Sequence, residues 1–406
     1  MLDQTLTIVL AGGNGTRLKP LTADRAKPAV PFGGKYRIID FTLSNCLRSG
    51  LRRVLVLTQY KSHSLTKHLR DGWSIYNPEL GEYITPVPPQ MRAGESWYTG
   101  TANAIYQNRY LLERSGAEWT LILAGDHIYR MDYAAMLKHH RDSGADATVA
   151  CMDVPIADAA AFGVLQLDEN QRILQFQEKP EKPAPDPGNP SRALVSMGIY
   201  VFPTATLLEV LEQDHNQPES DHDFGRDVFP ALVERVRIQA YRFGGAAGRV
   251  SSDRYWRDVG TLDGYYQANM DLLEPVPPLD LYQSDWSIRT YQSQHPPART
   301  VPGQSGTEGI SINSIIGSGV IIAGGSVQHS VLFPDVFVGD ETFVQDSILF
   351  ADAHVGANCQ LSRCIVDKGV EIPPNTQIGL NREADRARFN LSEGGIVVVP
   401  KGYRFT

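Results

Sequence analysis

From Thr5 to about Val154 short apolar runs alternate with amphipathic stretches, the pattern of buried strands joined by crossover helices in a parallel sheet. Thr7–Ala11, Val54–Thr58, Thr120–Ala124 and Ala147–Cys151 carry too few polar positions to keep one face in water, so they read as strands buried on both sides. Asp40–Ser49 reads as a helix with Asp40 as its N-cap and Gly50 as its stop, and Thr101–Arg114 keeps helical spacing up to Ser115-Gly116. After residue 160 the texture changes to hairpins, with Phe162–Leu167 and Ile173–Gln177 flanking the turn Asp168–Arg172. The expected fold class is therefore α/β, with a mixed, mostly parallel sheet flanked by helices.

A Pro-rich stretch, Glu274–Pro278, and the region Asp285–Gly309 read as a connection between domains. The boundary is placed near 280, giving a first domain over 1–280 and a linker with a second domain over 281–406. In that second domain the sequence repeats. Ser330–Gly339 and Ser347–Gly356 agree at six of ten positions with an offset of 17 residues, and Cys364–Val370 is a weaker third copy. β-branched triplets turning about every six residues at Gly, Asp or Asn predict a parallel β-helix, whose coils stack inward Val and Ile on one another. A β-sandwich with chance similarity is the alternative.

Composition narrows the partners. A chain of 406 residues with 42% hydrophobic positions can bury a full core, and a net charge of −8 offers no bulk attraction to nucleic acid or an anionic membrane. Met1–Gln4 carries no basic stretch, the run Leu6–Ala11 is too short for a signal peptide, and no apolar stretch nears the ~18 residues of a membrane helix. Cys46, Cys151, Cys359 and Cys364 form no metal or disulfide pattern, which predicts a cytoplasmic setting.

Against that acidic background, Gly12-Gly13-Asn14-Gly15-Thr16-Arg17 follows the first strand, where a glycine-rich turn presents backbone amides to phosphate oxygens. It fits neither a P-loop, lacking Gly-Lys-Ser/Thr, nor a dinucleotide fingerprint, since Leu18 stands where the third glycine belongs. Arg17, Lys19, Arg25, Lys27, Lys35 and Arg37 place six cations within 21 residues, opposed only by Asp24. Asp126 emerges at the carboxyl end of a parallel strand, where open α/β sheets hold ligands, and Asp258 offers a second carboxylate; together they suit Mg²⁺, with helix-cap or turn roles as the alternative. Lys179, after Glu178, is placed to meet a sugar phosphate or simply ends its strand, and Ser196-Met197-Gly198 marks a close ligand approach or a bulge. No Ser-His-Asp set suggests covalent catalysis.

Leu10–Thr22, Lys27-Pro-Ala29, Gly125–Tyr129, Glu178-Lys-Pro180 and Asp258-Val-Gly260 resemble the sugar-nucleotide pyrophosphorylases. Phe32–Phe41, Ser44–Cys46, Thr58–His63, Trp97–Ala102, Ser196–Tyr200, His222–Gly225 and Tyr255–Gly260 narrow the resemblance to the glucose-1-phosphate adenylyltransferases. The resemblance spans nearly the whole chain. It implies a nucleotidyltransferase domain with a C-terminal left-handed β-helix, ATP and glucose 1-phosphate as substrates, and a homotetramer controlled by anionic metabolite effectors. It also implies roles by position: Gly12, Gly13, Gly15 and Thr16 at the nucleotide, Arg17 and Lys27 on the ATP phosphates, Asp126 and Asp258 on Mg²⁺. Glu178, Lys179 and Ser196 would meet glucose 1-phosphate, Tyr98 and Gly163 would shape the pocket, and Arg25, Arg37, Arg114 and Arg363 would contact effectors. Asp24 and Pro31 depart from fructose-bisphosphate-activated relatives, which have lysine and histidine there, and so leave the activator open. Another base or sugar specificity and a non-catalytic regulatory subunit are the rival readings.

Overall fold

The computed structural model describes residues 1–90, 97–244, 250 and 254–405. Four strands run parallel in the order Trp119–Ala124, Thr5–Ala11, Arg53–Thr58 and Tyr83–Val87. Because successive side chains on a strand point to opposite faces, each strand feeds two cores: Leu6 and Ile8 enter one, Val9 and Ala11 the other. This two-sided burial is what the apolar runs record.

The same nine-stranded sheet continues antiparallel through Arg192–Pro203, which pairs with Trp119–Ala124, Ala147–Pro155 and Gly163–Leu167. The hairpin Gly163–Leu167 with Ile173–Glu178 forms one edge, and Ile238–Arg242 joins Ala147–Pro155 in parallel. The expected mixed sheet is present.

Two helix expectations are corrected. The first helix runs Ile38–Ser49 with Arg37 as its cap, so Asp40 lies three residues inside. Its fully buried carboxylate accepts hydrogen bonds from Arg37 N (2.8 Å) and Trp73 Nε1 (2.9 Å) and lies 2.6 Å from His68 Nε2. A carboxylate at that depth needs such donors, and here they tie this helix to His63–Trp73. Thr101–Arg114 is two helices, Thr101–Tyr106 and Arg109–Ser115. Between them the buried Asn108 amide donates to Ala104 O (2.8 Å) and Tyr98 Oη (2.9 Å), a local bond that competes with the helix.

The connection between domains is packed. Leu279, Trp286 and Ile288 are buried, Trp286 Nε1 donates to Asn45 Oδ1 (2.9 Å) and Arg289 N to Ser44 Oγ (2.8 Å), so the segment lies along the first helix. Its prolines record an extended path across that surface, not a free tether.

From Arg299 the chain coils into three parallel sheets. From Ile310 to Ile378 strand partners are 16 or 17 residues apart, as in Ile315↔Val331↔Ile348↔Ile365, which rules out the sandwich. At one corner Asn313, His329, Asp346 and Arg363 hold left-handed φ values of 42° to 47°. Cys359 and Cys364 are free, buried thiols among the stacked residues, and burial pushes Cys364 up to about 12.

The sheet of Val331–Leu332, Ile348–Leu349, Cys364–Val366 and Val397–Val399 is dry on both faces. Leu332, Leu349 and Val366 point into the coil, while Val331, Ile348, Ile365 and Val398 point out onto Phe32, Leu262 and Tyr265 of the first domain. That is why the repeat Ser-Val/Ile-Leu-Phe stands out in the sequence. Phe350 follows the same sheet, fully buried and edge-on to Phe333 (5.2 Å) and Tyr265 (6.4 Å). Phe350→Ala should therefore cost about 3–5 kcal/mol, read as a lower urea midpoint of the full chain. An unchanged midpoint would show that the two domains do not share this core.

Candidate active site

The carboxyl ends of Thr5–Ala11 and Trp119–Ala124 open onto one cavity of about 530 Å³. The glycine-rich turn forms one wall. Gly15 has a φ of 57°, and a Cβ there would come 3.0 Å from Thr22 and 3.3 Å from Lys27, so a side chain would be both strained and crowded. Gly12, Gly13 and Arg17 line the cavity; Gly15 and Thr16 do not, and the left-handed backbone of Gly15 shapes the turn.

Asp126 and Asp258 meet because the short strands His127–Tyr129 and Trp256–Asp258 pair antiparallel, with His127 opposite Asp258. Lys27, buried in the turn Lys27–Ala29, bridges them with Nζ 2.9 Å from Asp126 Oδ2 and 2.8 Å from Asp258 Oδ1. His127 Nε2 stands 3.6 Å from Asp126 Oδ1, and single ligand atoms of Asp126, His127 and Asp258 lie within 4.8 Å of one another. Burial alone would raise the Asp126 carboxyl, but the Lys27 ammonium, and behind it His127, hold it at about 2. Burial likewise works against the Lys27 charge, and the two carboxylates outweigh it, so its pKa lies above the ordinary value. The Asp126 carboxylate is thus ionised at neutral pH, and the two aspartates bring oxygen ligands close enough for one divalent cation.

The opposite wall carries the remaining candidates. Glu178 ends its strand, and Lys179, in the left-handed region at φ 45°, donates its amide to Phe162 O (3.0 Å) and places Nζ 2.5 Å from Glu178 Oε1. Ser196 and Gly198 do mark a bulge: the ladder slips between Ser196 and Tyr200, Gly198 takes φ 68°, and Ser196 Oγ accepts from Gly198 N (3.2 Å). The distorted residues line the cavity. Gly163 also lines it; a Cβ there would strike Phe176 at 2.7 Å. Tyr98 sits beside it, its carbonyl accepting from Gln59 Nε2 (3.3 Å).

Sequence reasoning gives no individual role to Gln59, Asp223 or Gly225, all in the lining. Asp223 Oδ1 accepts from Gly225 N (2.9 Å), and a Cβ at Gly225 would come 2.5 Å from Glu178 Oε2. The Asp-Phe-Gly order is a turn signal that could have marked the bend, but not the carboxylate across from it.

The four arginines expected to contact effectors are not gathered into one place. Arg25 is buried, with Nη2 2.7 Å from Asp367 Oδ1 of the β-helix, so it is not the open surface contact its basic neighbourhood suggests. Arg37 donates Nη1 to Ser64 O (2.9 Å), and Arg363 is exposed at a β-helix corner. Arg114 is exposed on a helix packed on a different core from the one beside Arg25.

Comparison with known proteins agrees with this geometry. The chain matches the family described as Nucleotidyl transferase over residues 6–275 and the one described as GlmU-like, C-terminal hexapeptide, over 296–399. It is 61% identical over 404 residues to glucose-1-phosphate adenylyltransferase 2 of Vibrio parahaemolyticus and 59% over 405 residues to that of Vibrio cholerae, covering 100% of each chain. It is 52% identical over 396 residues to glucose-1-phosphate adenylyltransferase of Methylococcus capsulatus, covering 98% of this chain and 93% of the other.

Removing the central cation should leave two carboxylates facing each other. Lys27→Met is expected to lose about 1–3 kcal/mol in thermal unfolding, and millimolar divalent cation should restore part of it. Equal melting temperatures for parent and variant without metal would show that Lys27 does not hold the pair together.

Proposed function

We infer what this site does from one premise: the chain belongs to the glucose-1-phosphate adenylyltransferase family of nucleotidyl transferases. It transfers AMP from ATP to glucose 1-phosphate, giving ADP-glucose and pyrophosphate, for α-glucan (glycogen) synthesis. The observation that carries the reading is the cavity that sets the glycine-rich turn and the Lys27-bridged carboxylates opposite Glu178, Lys179 and Ser196.

A phosphate oxygen of glucose 1-phosphate forms a bond to the α-phosphorus of ATP as the bond to the β-phosphate oxygen breaks, in line. Pyrophosphate leaves toward Gly12, Gly13 and Arg17. No general base is needed, because the attacking oxygen is already ionised. Arg17 and Lys27 offset charge gathering on the leaving group; Asp126 and Asp258 would hold Mg²⁺, which when bound would supply Lewis-acid neutralisation of phosphate charge. Lys179 and Ser196 bind the sugar phosphate, Glu178 orients the sugar, and Tyr98 and Gly163 shape the pocket around nucleotide and sugar.

The same premise extends to a cytoplasmic homotetramer regulated by anionic metabolites. Among the described residues no helix is long and apolar enough to cross a membrane. Arg25, Arg37 and Arg363 are the effector contacts this reading favours in one chain, with Arg114 acting from its own site. Arg25 Nη1 supports it, being buried without a hydrogen-bond partner among the described residues.

Pyrophosphate release with Mg²⁺ and glucose 1-phosphate should require ATP, and UTP, dTTP, GTP and CTP should give little. Release with another nucleotide would move the specificity, and none with any would favour a regulatory subunit. Asp126→Asn should lower turnover by on the order of 10³ or more with the fold intact. Lys179→Gln should raise the KM for glucose 1-phosphate by about tenfold with a smaller change in kcat, as expected for loss of a charge-assisted contact.

A further inference from the structure

Asp258 ends its strand with only Val259, Gly260 and Thr261 before the helix Leu262–Met270. Val259 is fully buried, and Thr261 Oγ1 caps the helix by accepting from Gly264 N at 3.1 Å. Gly260 is tightly placed, since a Cβ there would come 3.1 Å from Asp258 Oδ2 and 3.2 Å from Arg17 Nη2. So short and packed a link passes any movement of the helix start to the Asp258 carboxylate.

The second residue of that helix, Asp263, does not turn its carboxylate onto the helix's own amides. It reaches across to the β-helix, where Oδ1 accepts from Ser392 Oγ at 2.5 Å and Oδ2 from Gly394 N at 3.2 Å. A Cβ on Gly394 would come 2.5 Å from Asp263 Oδ1, so the approach needs glycine. The loop is closed on itself: Ser392 N donates to Ile396 O (2.9 Å), Gly395 N to Ser392 O (3.1 Å) and Ile396 N to Ser392 Oγ (2.9 Å). Ile396 and Val398 anchor it in the same buried core as Val259 and Leu262.

We propose that Asp263 is a positioning residue: by gripping the loop Ser392–Gly394, it lets the β-helix fix the first turn of Leu262–Met270 and hold the Asp258 carboxylate beside Lys27 and Asp126. The inference rests on the reading of Asp258 as a metal ligand. Groups that orient a metal's ligands ordinarily act on metal affinity more than on the remaining substrate contacts. The β-helix is then part of the support of the metal site.

The test uses the full chain with Asp263→Ala, Ser392→Ala and Asp258→Asn. Mn²⁺ binding in the presence of ATP is read from the electron paramagnetic resonance signal of free Mn²⁺, beside Mg²⁺ dependence of pyrophosphate release and thermal unfolding. Asp263→Ala and Ser392→Ala should each weaken Mn²⁺ binding by about tenfold and raise half-saturating Mg²⁺ to match, with the KM for glucose 1-phosphate moving less than about twofold. Asp263→Asn, which keeps an acceptor oxygen for Ser392, should recover part of the loss. Parent-like Mn²⁺ binding in Asp263→Ala and Ser392→Ala, with weakened binding in Asp258→Asn, overturns the inference and leaves the metal reading standing. Parent-like binding in Asp258→Asn overturns both. A general loss of kcat, every affinity and melting temperature together would mark Asp263 as merely structural and also overturn it. Should Asp263→Ala fail to fold, Ser392→Ala decides alone, since it removes one hydroxyl from the other side.

Discussion

A β-sheet with no wet face is the constraint on which the rest of this molecule depends. The docked sheet of the β-helix fills its own coil with Leu332, Leu349 and Val366, and must hide Val331, Ile348, Ile365 and Val398 against something else. The first domain supplies that cover, and does so with the segments that carry its charged groups. Leu18 follows Arg17, Val30 lies three residues after Lys27, Ile128 two after Asp126, and Val259 directly after Asp258; all four apolar residues belong to the shared core. The wall that carries Arg17, Lys27, Asp126 and Asp258 is therefore a row of polar side chains mounted on one hydrophobic backing. Its geometry inherits the rigidity of close packing, which loops by themselves lack.

Electrostatics then works locally against the bulk. A chain of net charge −8 has to receive polyanions, and it does so by setting cations where the sheet ends. Lys27 between two carboxylates leaves a small charge cluster instead of a strong field, and its ammonium offsets the repulsion between them. The glycine-rich turn adds close backbone approach without adding charge.

What the sequence made legible was local in character. Strands buried on both faces, the glycine-rich turn and the coil of the second domain each follow from spacing within a few residues, or from one offset repeated along the chain. What stayed hidden depended on partners far away in the chain. Asp40 at a helix start looks like a cap until His68 and Trp73 are folded against it. Asn108 looks helical until Tyr98 offers its hydroxyl. Prolines around 280–300 look like a tether until Trp286 finds Asn45. Asp126 and Asp258 are individually ordinary turn aspartates; only the ribbon of His127–Tyr129 with Trp256–Asp258 makes them a pair. Residue type alone suggested them as an Mg²⁺ pair, with turn or cap roles as the alternative, and the family resemblance gave them a shared role.

The pairing of Arg25 with Asp367 carries a thermodynamic consequence. Both side chains are almost fully enclosed, and one belongs to each domain. An anion that displaces Asp367 from Arg25 Nη2 would have its apparent affinity discounted by whatever it costs to open that pair. By reciprocity, a change elsewhere that loosens the two domains strengthens anion binding at Arg25 by the same factor that anion binding loosens the domains. For such an anion the seam would be a balance, with a protein carboxylate on one pan and the solute on the other.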